Sequence, residues 1–388
     1  MTRHYDRLQI GMVAPYFPPA ELVRTAGRMY EDAAFDFMLW GDQLNLTIPR
    51  SIWTPDLVPA AGGGFDIDTW MDPFSCATAV AGVTARIELM LICDALRRTP
   101  PNLAQQAMTV DQFSGGRFLM AMGAGEYKQF APYGLSRSRP FGHLEEAIKI
   151  IKLFFASDGP VTYDGPIWSL RNAIVRLEPF DRAHPPAILV AGGPGRAIEI
   201  AGRHADGWLT YVPPAGDVEW YAATVKTLRE EAERAGRDPD ELILSVGCSS
   251  IIVEDEGRLD EVCSNAALRW DAACVLPSGA EWHRWGAKNP LGDDWHYMRD
   301  FVPMDWSRED TLAICDQVPL DVVKQSKFSG TPARVASLIK DYVDAGANHV
   351  FVGNYAALIT SGDFGDAAAG MTLTMETCRL LRDQTSAK

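Results

Sequence analysis

The sequence predicts an α/β fold, a closed (β/α)8 TIM barrel. Short, near-continuous apolar runs alternate with helix-like segments along most of the 388 residues, which implies a parallel sheet covered on its outer face. Eight such units can be counted, the number that closes a barrel. A doubly wound open sheet is the alternative, but the Gly-rich fingerprint of that fold is missing after the first strand.

In order, Leu8–Ala14 (LQIGMVA) reads as the first strand and Glu21–Ala33 as the helix after it. Phe35–Trp40 (FDFMLW) is the second strand, ending at Gly41-Asp42. Pro73–Val83 is a helix, Ile87–Cys93 (IELMLIC) the third strand and Pro101–Ser114 the next helix. Arg117–Met122 is the fourth strand, too short for a buried helix and apolar throughout. Leu144–Phe155 follows as an amphipathic helix. Pro186–Val190, Gly207–Tyr211, Leu242–Ile252 and His349–Val352 supply strands five to eight, and a last helix runs from about Asp366 to Arg382. Three insertions interrupt the rhythm. They lie after strand two (45–69), between strands four and five (161–179, with a strand-like VTYDGPIWSL) and after strand seven (276–325, rich in Trp, Pro and Gly). Long segments of this kind are expected to be lids or substrate walls. No repeat or low-complexity stretch marks a boundary, so residues 1–388 read as one domain.

Composition narrows the function. A formal charge of −15 argues against nucleic acid or an anionic membrane as partner. No run approaches the ~18 apolar residues of a membrane span, and the N-terminal MTRHYDRLQIG has no signal-peptide core. Seven cysteines without a CxxC suit reduced thiols, and hence a cytoplasmic setting. Seven histidines without HExxH or HxH spacing predict no metal site.

The residues that could carry chemistry fall at strand ends, where barrels of this kind place their sites. The fourth strand runs into Gly123-Ala124-Gly125 and then Glu126; glycines there let a ligand approach the backbone, and the acid faces it. A tight turn is the plain alternative. Ala191-Gly192-Gly193-Pro194-Gly195 joins the fifth strand to a helix, with open N–H groups and a helix N-terminus suited to a phosphate; an ordinary strand-to-helix turn is the plain alternative. Asp42 ends strand two in WGDQLN, either orienting a ligand or capping the loop. Gln43 beside it donates and accepts hydrogen bonds but exchanges no proton near neutral pH. Glu126 is then the acid placed to shuttle one. Asp94, after strand three, is a further candidate, or simply a partner for Arg97 or Arg98. Trp53, Trp70, Phe130, Trp282 and Trp285 promise an apolar or aromatic substrate pocket.

Taken together, GDQLN (Gly41–Asn45), RRTP (Arg97–Pro100), SGGR…GAGE (Ser114–Glu126), AGGPG (Ala191–Gly195), ADGW (Ala205–Trp208) and FSGTP (Phe328–Pro332) resemble the bacterial-luciferase-like flavin and deazaflavin superfamily. The similarity covers nearly the whole chain and is greatest to the coenzyme F420-dependent branch. GDQLNLTIPRSIWT and NPLGDDW…VPMDW…QVPLDVVKQSKFSGTP are especially similar to mycobacterial phthiodiolone ketoreductases.

The resemblance implies F420, or FMN in the alternative, lying across the C-terminal end of the barrel. Asp42 would hold the ring system, with Met90, Leu91 and Cys93 of strand three behind it and a non-proline cis peptide at Met90–Leu91. Gly123, Ala124 and Gly125 would line the cofactor tail, and Ala191, Gly192 and Gly193 its phosphate. Arg97, Arg98 and Lys128 would form a basic patch for the polyglutamate tail. The sugar-phosphate dehydrogenases and the ketoreductases of this branch carry histidine where this chain has Gln43, and Pro214 and Gln325 replace two phosphate-clamping residues. The implied reaction is therefore hydride transfer from F420H2 to a carbonyl or electron-poor double bond, with Asp42, Gln43 and Glu126 as the catalytic group and a homodimer as the assembly. An FMN-dependent monooxygenase and a non-catalytic flavin-binding protein are the competing expectations.

Overall fold

A computed structural model describes residues 5–63, 66–193, 195–211, 218–276 and 279–386. Its strands are β1 (Gln9–Val13), β2 (Phe37–Gly41), β3 (Glu88–Asp94), β4 (Phe118–Gly123), β5 (Val161–Asp164), β6 (Ser169–Ala173), β7 (Ala187–Ala191), β8 (Gly207–Tyr211), β9 (Ile243–Ile252), β10 (Phe328–Gly330) and β11 (His349–Asn354). Eight of them pair in parallel in the order β9-β11-β1-β2-β3-β4-β7-β8, and β8 pairs back to β9, which closes the barrel. All eight expected barrel strands are present, most with ends shifted by one or two residues. The 161–179 excursion holds the antiparallel pair β5–β6. Among the described residues no helix is long and apolar enough to cross a membrane.

Side-chain alternation divides each strand between two cores. Phe37, Leu39, Met90, Leu119, Ala121, Leu189, Leu209 and Phe351 fill the lumen. The opposite parity, with Met38, Trp40, Leu91, Cys93, Met122, Val190 and Trp208, packs outward under the helices. The helix Pro100–Ser114 shows how local sequence sets an element. Prolines fill its first turn, where no donor is lost, and Gly115 ends it at φ 69°.

The third insertion departs from expectation. Residues 276–325, read as a long irregular wall, contain the helices Gly279–Arg284, Tyr297–Asp300, Arg308–Cys315 and Leu320–Gln325. With Leu259–Cys263 and Ala266–Val275 they build a cap, because the excursion begins directly after β9. Helices of four to eight residues are too short to show a 3.6-residue period, which hid them in the sequence. The cap has its own core, in which Trp270, Trp282 and Phe301 pack with Ile48, Ile52, Trp53 and Val58 from the loop after β2. β10 was also missed. Its three residues pair with Ser250–Ile252 and bring the chain from the cap back to the barrel.

Candidate active site

Register places the sequence-selected residues on one contiguous arc of the rim. Gly41 pairs with Ile92, Asp94 with Gly123 and Gly123 with Ala191, so the loops after β2, β3, β4 and β7 stand side by side. Counting alternation up from Phe37 and Leu39, Gly41 points into the lumen, as do Gly123 and Ala191 on their strands. The top layer of this arc therefore carries only a hydrogen or a methyl group. On the opposite side Tyr211 and Phe351 meet edge to face, 5.5 Å apart. A Cβ at Gly123 would find its nearest neighbour 3.5 Å away, at the Ala191 carbonyl. The mouth thus has an open floor of small residues, which fits a flat ring system lying over it.

Asp42 is buried and doubly paired. Arg98 Nε donates to its Oδ2 at 2.9 Å, and Arg97 Nη2 lies 3.0 Å from the same oxygen. Asp94 takes the structural role open to it, accepting from Arg97 Nε at 2.6 Å and from the backbone N–H groups of Leu96 and Arg97. Arg98 also reaches Asp72 at 2.6 Å and lies over the Phe74 ring. The expected basic patch is therefore absent as a patch. Arg97 and Arg98 are neutralised by carboxylates, and Lys128 is fully buried.

Lys128 instead completes a polar network beneath the mouth. Its ammonium contacts Glu126 Oε2 at 2.7 Å, the Asn45 carbonyl at 2.8 Å and Gln43 Oε1 at 2.5 Å. Desolvation pulls its pKa below the usual lysine range, and the adjacent Glu126 charge pulls it part of the way back. Gln129, also buried, donates to Gln43 Oε1 at 2.6 Å and to the Asn45 carbonyl at 2.9 Å, and accepts from Leu44 N at 2.9 Å. Asn45 Nδ2 donates to the Lys128 carbonyl in return. The short helix Tyr127–Gln129 thus zips the loop after β4 to GDQLN. The signal was in the sequence as Lys-Gln directly behind GAGEY, but composition alone could not separate a buried lysine from a surface one.

Glu126 Oε1 lies 3.5 Å from the Tyr297 hydroxyl, supplied by the cap. Burial and the Glu126 charge push the Tyr297 pKa well above the ordinary phenol value, so that hydroxyl remains a donor. Arg137 Nε holds the Gly125 carbonyl at 2.7 Å. Tyr16, buried just past β1, packs at a tilt against Trp70 with 4.5 Å between ring centroids. Tyr16, Tyr211 and Tyr297 are mouth residues that the sequence reading passed over.

Several expectations change. β3 runs unbroken in register from Leu89↔Phe118 to Asp94↔Gly123, with no bulge, and the cis peptide bond among the described residues is Pro18–Pro19, not Met90–Leu91. Met90 faces the lumen, whereas the Leu91 and Cys93 side chains face the helices. Trp53 and Trp282 are core residues of the cap, with Trp285 packed against them, rather than pocket walls. Phe130 is buried below Gly125, where a Cβ would fall 2.5 Å from its ring. Pro194 and Pro214 lie outside the described residues. In AGGPG, Gly192 N donates to the Leu209 carbonyl and Gly192 O accepts from Trp208 Nε1, so both of its polar groups are used. Gly193 is exposed, with nothing within 4 Å of a Cβ position, ahead of the helix Arg196–His204.

A closed parallel barrel with glycine-lined loops at the C-terminal ends of its strands defines the class of fold. Residues 4–349 match the luciferase-like monooxygenase family, and the chain belongs to it. It is 30% identical over 343 residues to the phthiodiolone/phenolphthiodiolone dimycocerosates ketoreductase of Mycobacterium kansasii, covering 87% of this chain and 92% of that one. It is 28% identical over 282 residues to the F420-dependent glucose-6-phosphate dehydrogenase of Kineococcus radiotolerans, covering 70% and 73%. Among solved structures, an F420-dependent secondary alcohol dehydrogenase in complex with an F420-acetone adduct superposes with a TM-score of 0.72. That match has 21% identity and covers 97% of this chain and all of the other. The coenzyme F420-dependent tetrahydromethanopterin reductase from Methanopyrus kandleri gives 0.68 at 17% identity, covering 91% and 96%.

Proposed function

We propose that this protein is an F420H2-dependent oxidoreductase that reduces a carbonyl or an electron-poor double bond of an apolar or aromatic substrate. The observation that carries the reading is the small-residue floor of Gly41, Gly123 and Ala191, with Asp42, Gln43 and Glu126 in the loops that adjoin it on one arc. The F420-dependent glucose-6-phosphate dehydrogenase relative supplies the cofactor class. Asp42 and the loop Gly123–Gly125 would hold the ring system and tail, with Gly193 and the adjoining helix N-terminus at a phosphate. F420H2, when bound, supplies the hydride.

This chain's residues handle the rest. Gln43 offers hydrogen bonds to a substrate oxygen but is no base. Glu126, with the Lys128 ammonium paired to it from behind, is the group placed to pass a proton toward that oxygen. The cap reaches the mouth through Tyr297, which would help to keep water from the floor. The protein is proposed to act in the cytoplasm as a homodimer.

Tryptophan-fluorescence titration with F420 and with FMN tests the reading. Micromolar or tighter F420 binding with much weaker FMN binding is expected. Tight FMN binding with no response to F420 would replace it with the monooxygenase alternative.

A further inference from the structure

The orientation of the Gln43 carboxamide is dictated by its neighbours. An ammonium can only donate, so the Gln43 atom 2.5 Å from Lys128 Nζ must be the oxygen. Gln129 is fixed in the same way. Leu44 N can only donate, so Gln129 presents its oxygen there and its amide nitrogen to Gln43 Oε1 and to the Asn45 carbonyl. Two donors therefore converge on one carboxamide oxygen. Lys128 is held in place by hydrogen bonds to Gln43 Oε1 and the Asn45 carbonyl and by the Glu126 carboxylate 2.7 Å from its ammonium. The Gln43 –NH2 is left facing the other way. It lies 3.8 Å from the point a Gly41 Cβ would occupy, on the lumen side, with the Tyr16 hydroxyl 3.6 Å from that point. Among the described residues nothing accepts from it.

From this geometry we infer that Gln43 is a dedicated donor to a ligand oxygen, with Lys128 and Gln129 as its positioning residues. The site then takes ligands that present an acceptor there, a carbonyl or an oxyanion, and disfavours an alcohol that must give up its hydroxyl proton. The inference rests on the oxidoreductase reading for its substrate, and on the network alone for the amide.

Gln43→Glu isolates the donor. The glutamate keeps the inward oxygen for Lys128 and Gln129, keeps the shape, and replaces the outward –NH2 with an acceptor. The variant should melt no lower than the parent and bind F420 equally well, yet ketone-driven oxidation of F420H2 in a single turnover should slow at least about tenfold. Parent-rate turnover in the F420-loaded variant would overturn the inference. A second readout needs neither cofactor nor substrate. In apo protein labelled with 15N-glutamine, the side-chain –NH2 signals that vanish in Gln43→Glu should move in Lys128→Met. If they stay in place, Lys128 does not position Gln43. A parent protein that binds no F420 overturns the functional reading, while the glutamine spectra still decide the locking.

Discussion

Arg98 joins two acids that are 30 residues apart in sequence: its Nε donates to Asp42 at 2.9 Å and its Nη2 to Asp72 at 2.6 Å. Asp72 also caps the helix Pro73–Ala81 by accepting from Ser75 N. One guanidinium therefore fixes the loop after β2 against the helix that precedes β3, and Arg97 ties the same Asp42 to Asp94. The rigidity of the Asp42 carboxylate, which the functional reading needs, comes from this chain of charges.

Removing its centre should be costly. Asp42→Ala leaves two largely buried guanidiniums short of a partner. Breaking a buried pair costs ~3–5 kcal/mol, and since Arg98 is partly exposed a loss of ~2–3 kcal/mol is expected. Urea denaturation measures it. A change under about 0.5 kcal/mol would show that Asp94 and Asp72 suffice.

The phosphate turn allows a test that folding does not confound. A side chain at Gly193 meets nothing, so Gly193→Val should melt like the parent. The same side chain would stand where a phosphate is proposed to approach, and F420 affinity should fall at least tenfold, about 1.4 kcal/mol. Unchanged affinity would return AGGPG to an ordinary strand-to-helix turn.

A pH-dependent contribution comes from Glu31, whose Oε2 accepts from the backbone N–H groups of Ala85, Arg86 and Ile87 just ahead of β3. Desolvation alone would raise its pKa, but the three donors outweigh it and hold the carboxyl below its ordinary value of 4.5. A depressed folded pKa stabilises the fold above the unfolded value, and the benefit is lost as pH falls through the folded one. Glu31→Gln should therefore cost ~1–2 kcal/mol at neutral pH. The gap between variant and parent should narrow in thermal melts as pH falls below the ordinary value of 4.5. A gap independent of pH would mean that shape, not charge, matters there.

What the sequence revealed follows from what sequence patterns encode. Apolar strands of five to ten residues, each followed by a loop and most then by a helix, are legible as a barrel, and glycines at strand ends mark its mouth. The cap was not legible, since its helices are short and its tryptophans face one another. Trp53 and Trp282 look like pocket walls in composition, and only packing shows them to be a second core. Lys128 was the deeper miss. A lysine inside a protein with 36 basic residues carries no mark of burial, and its role depends on Asn45 and Gln43, more than 80 residues away.

Glu126 is the residue on which the proposed chemistry turns. It stands between a fully buried lysine at 2.7 Å and the Tyr297 hydroxyl at 3.5 Å, next to glycines whose backbone lines the mouth. Glu126→Gln keeps the shape and still offers an oxygen to Lys128, so the loop after β4 should remain in place and F420 should still bind. The amide cannot relay a proton. General acid–base groups contribute ~10²–10⁴-fold, and single-turnover reduction of a ketone, enone or nitroaromatic panel should slow by that order. Tyr297→Phe should slow it far less, because it removes a long contact and leaves the carboxylate beside its lysine. Glu126→Gln at the parent rate would assign the proton to the tyrosine or to solvent, leaving Glu126 as the counter-charge that keeps Lys128 in place beneath Gln43.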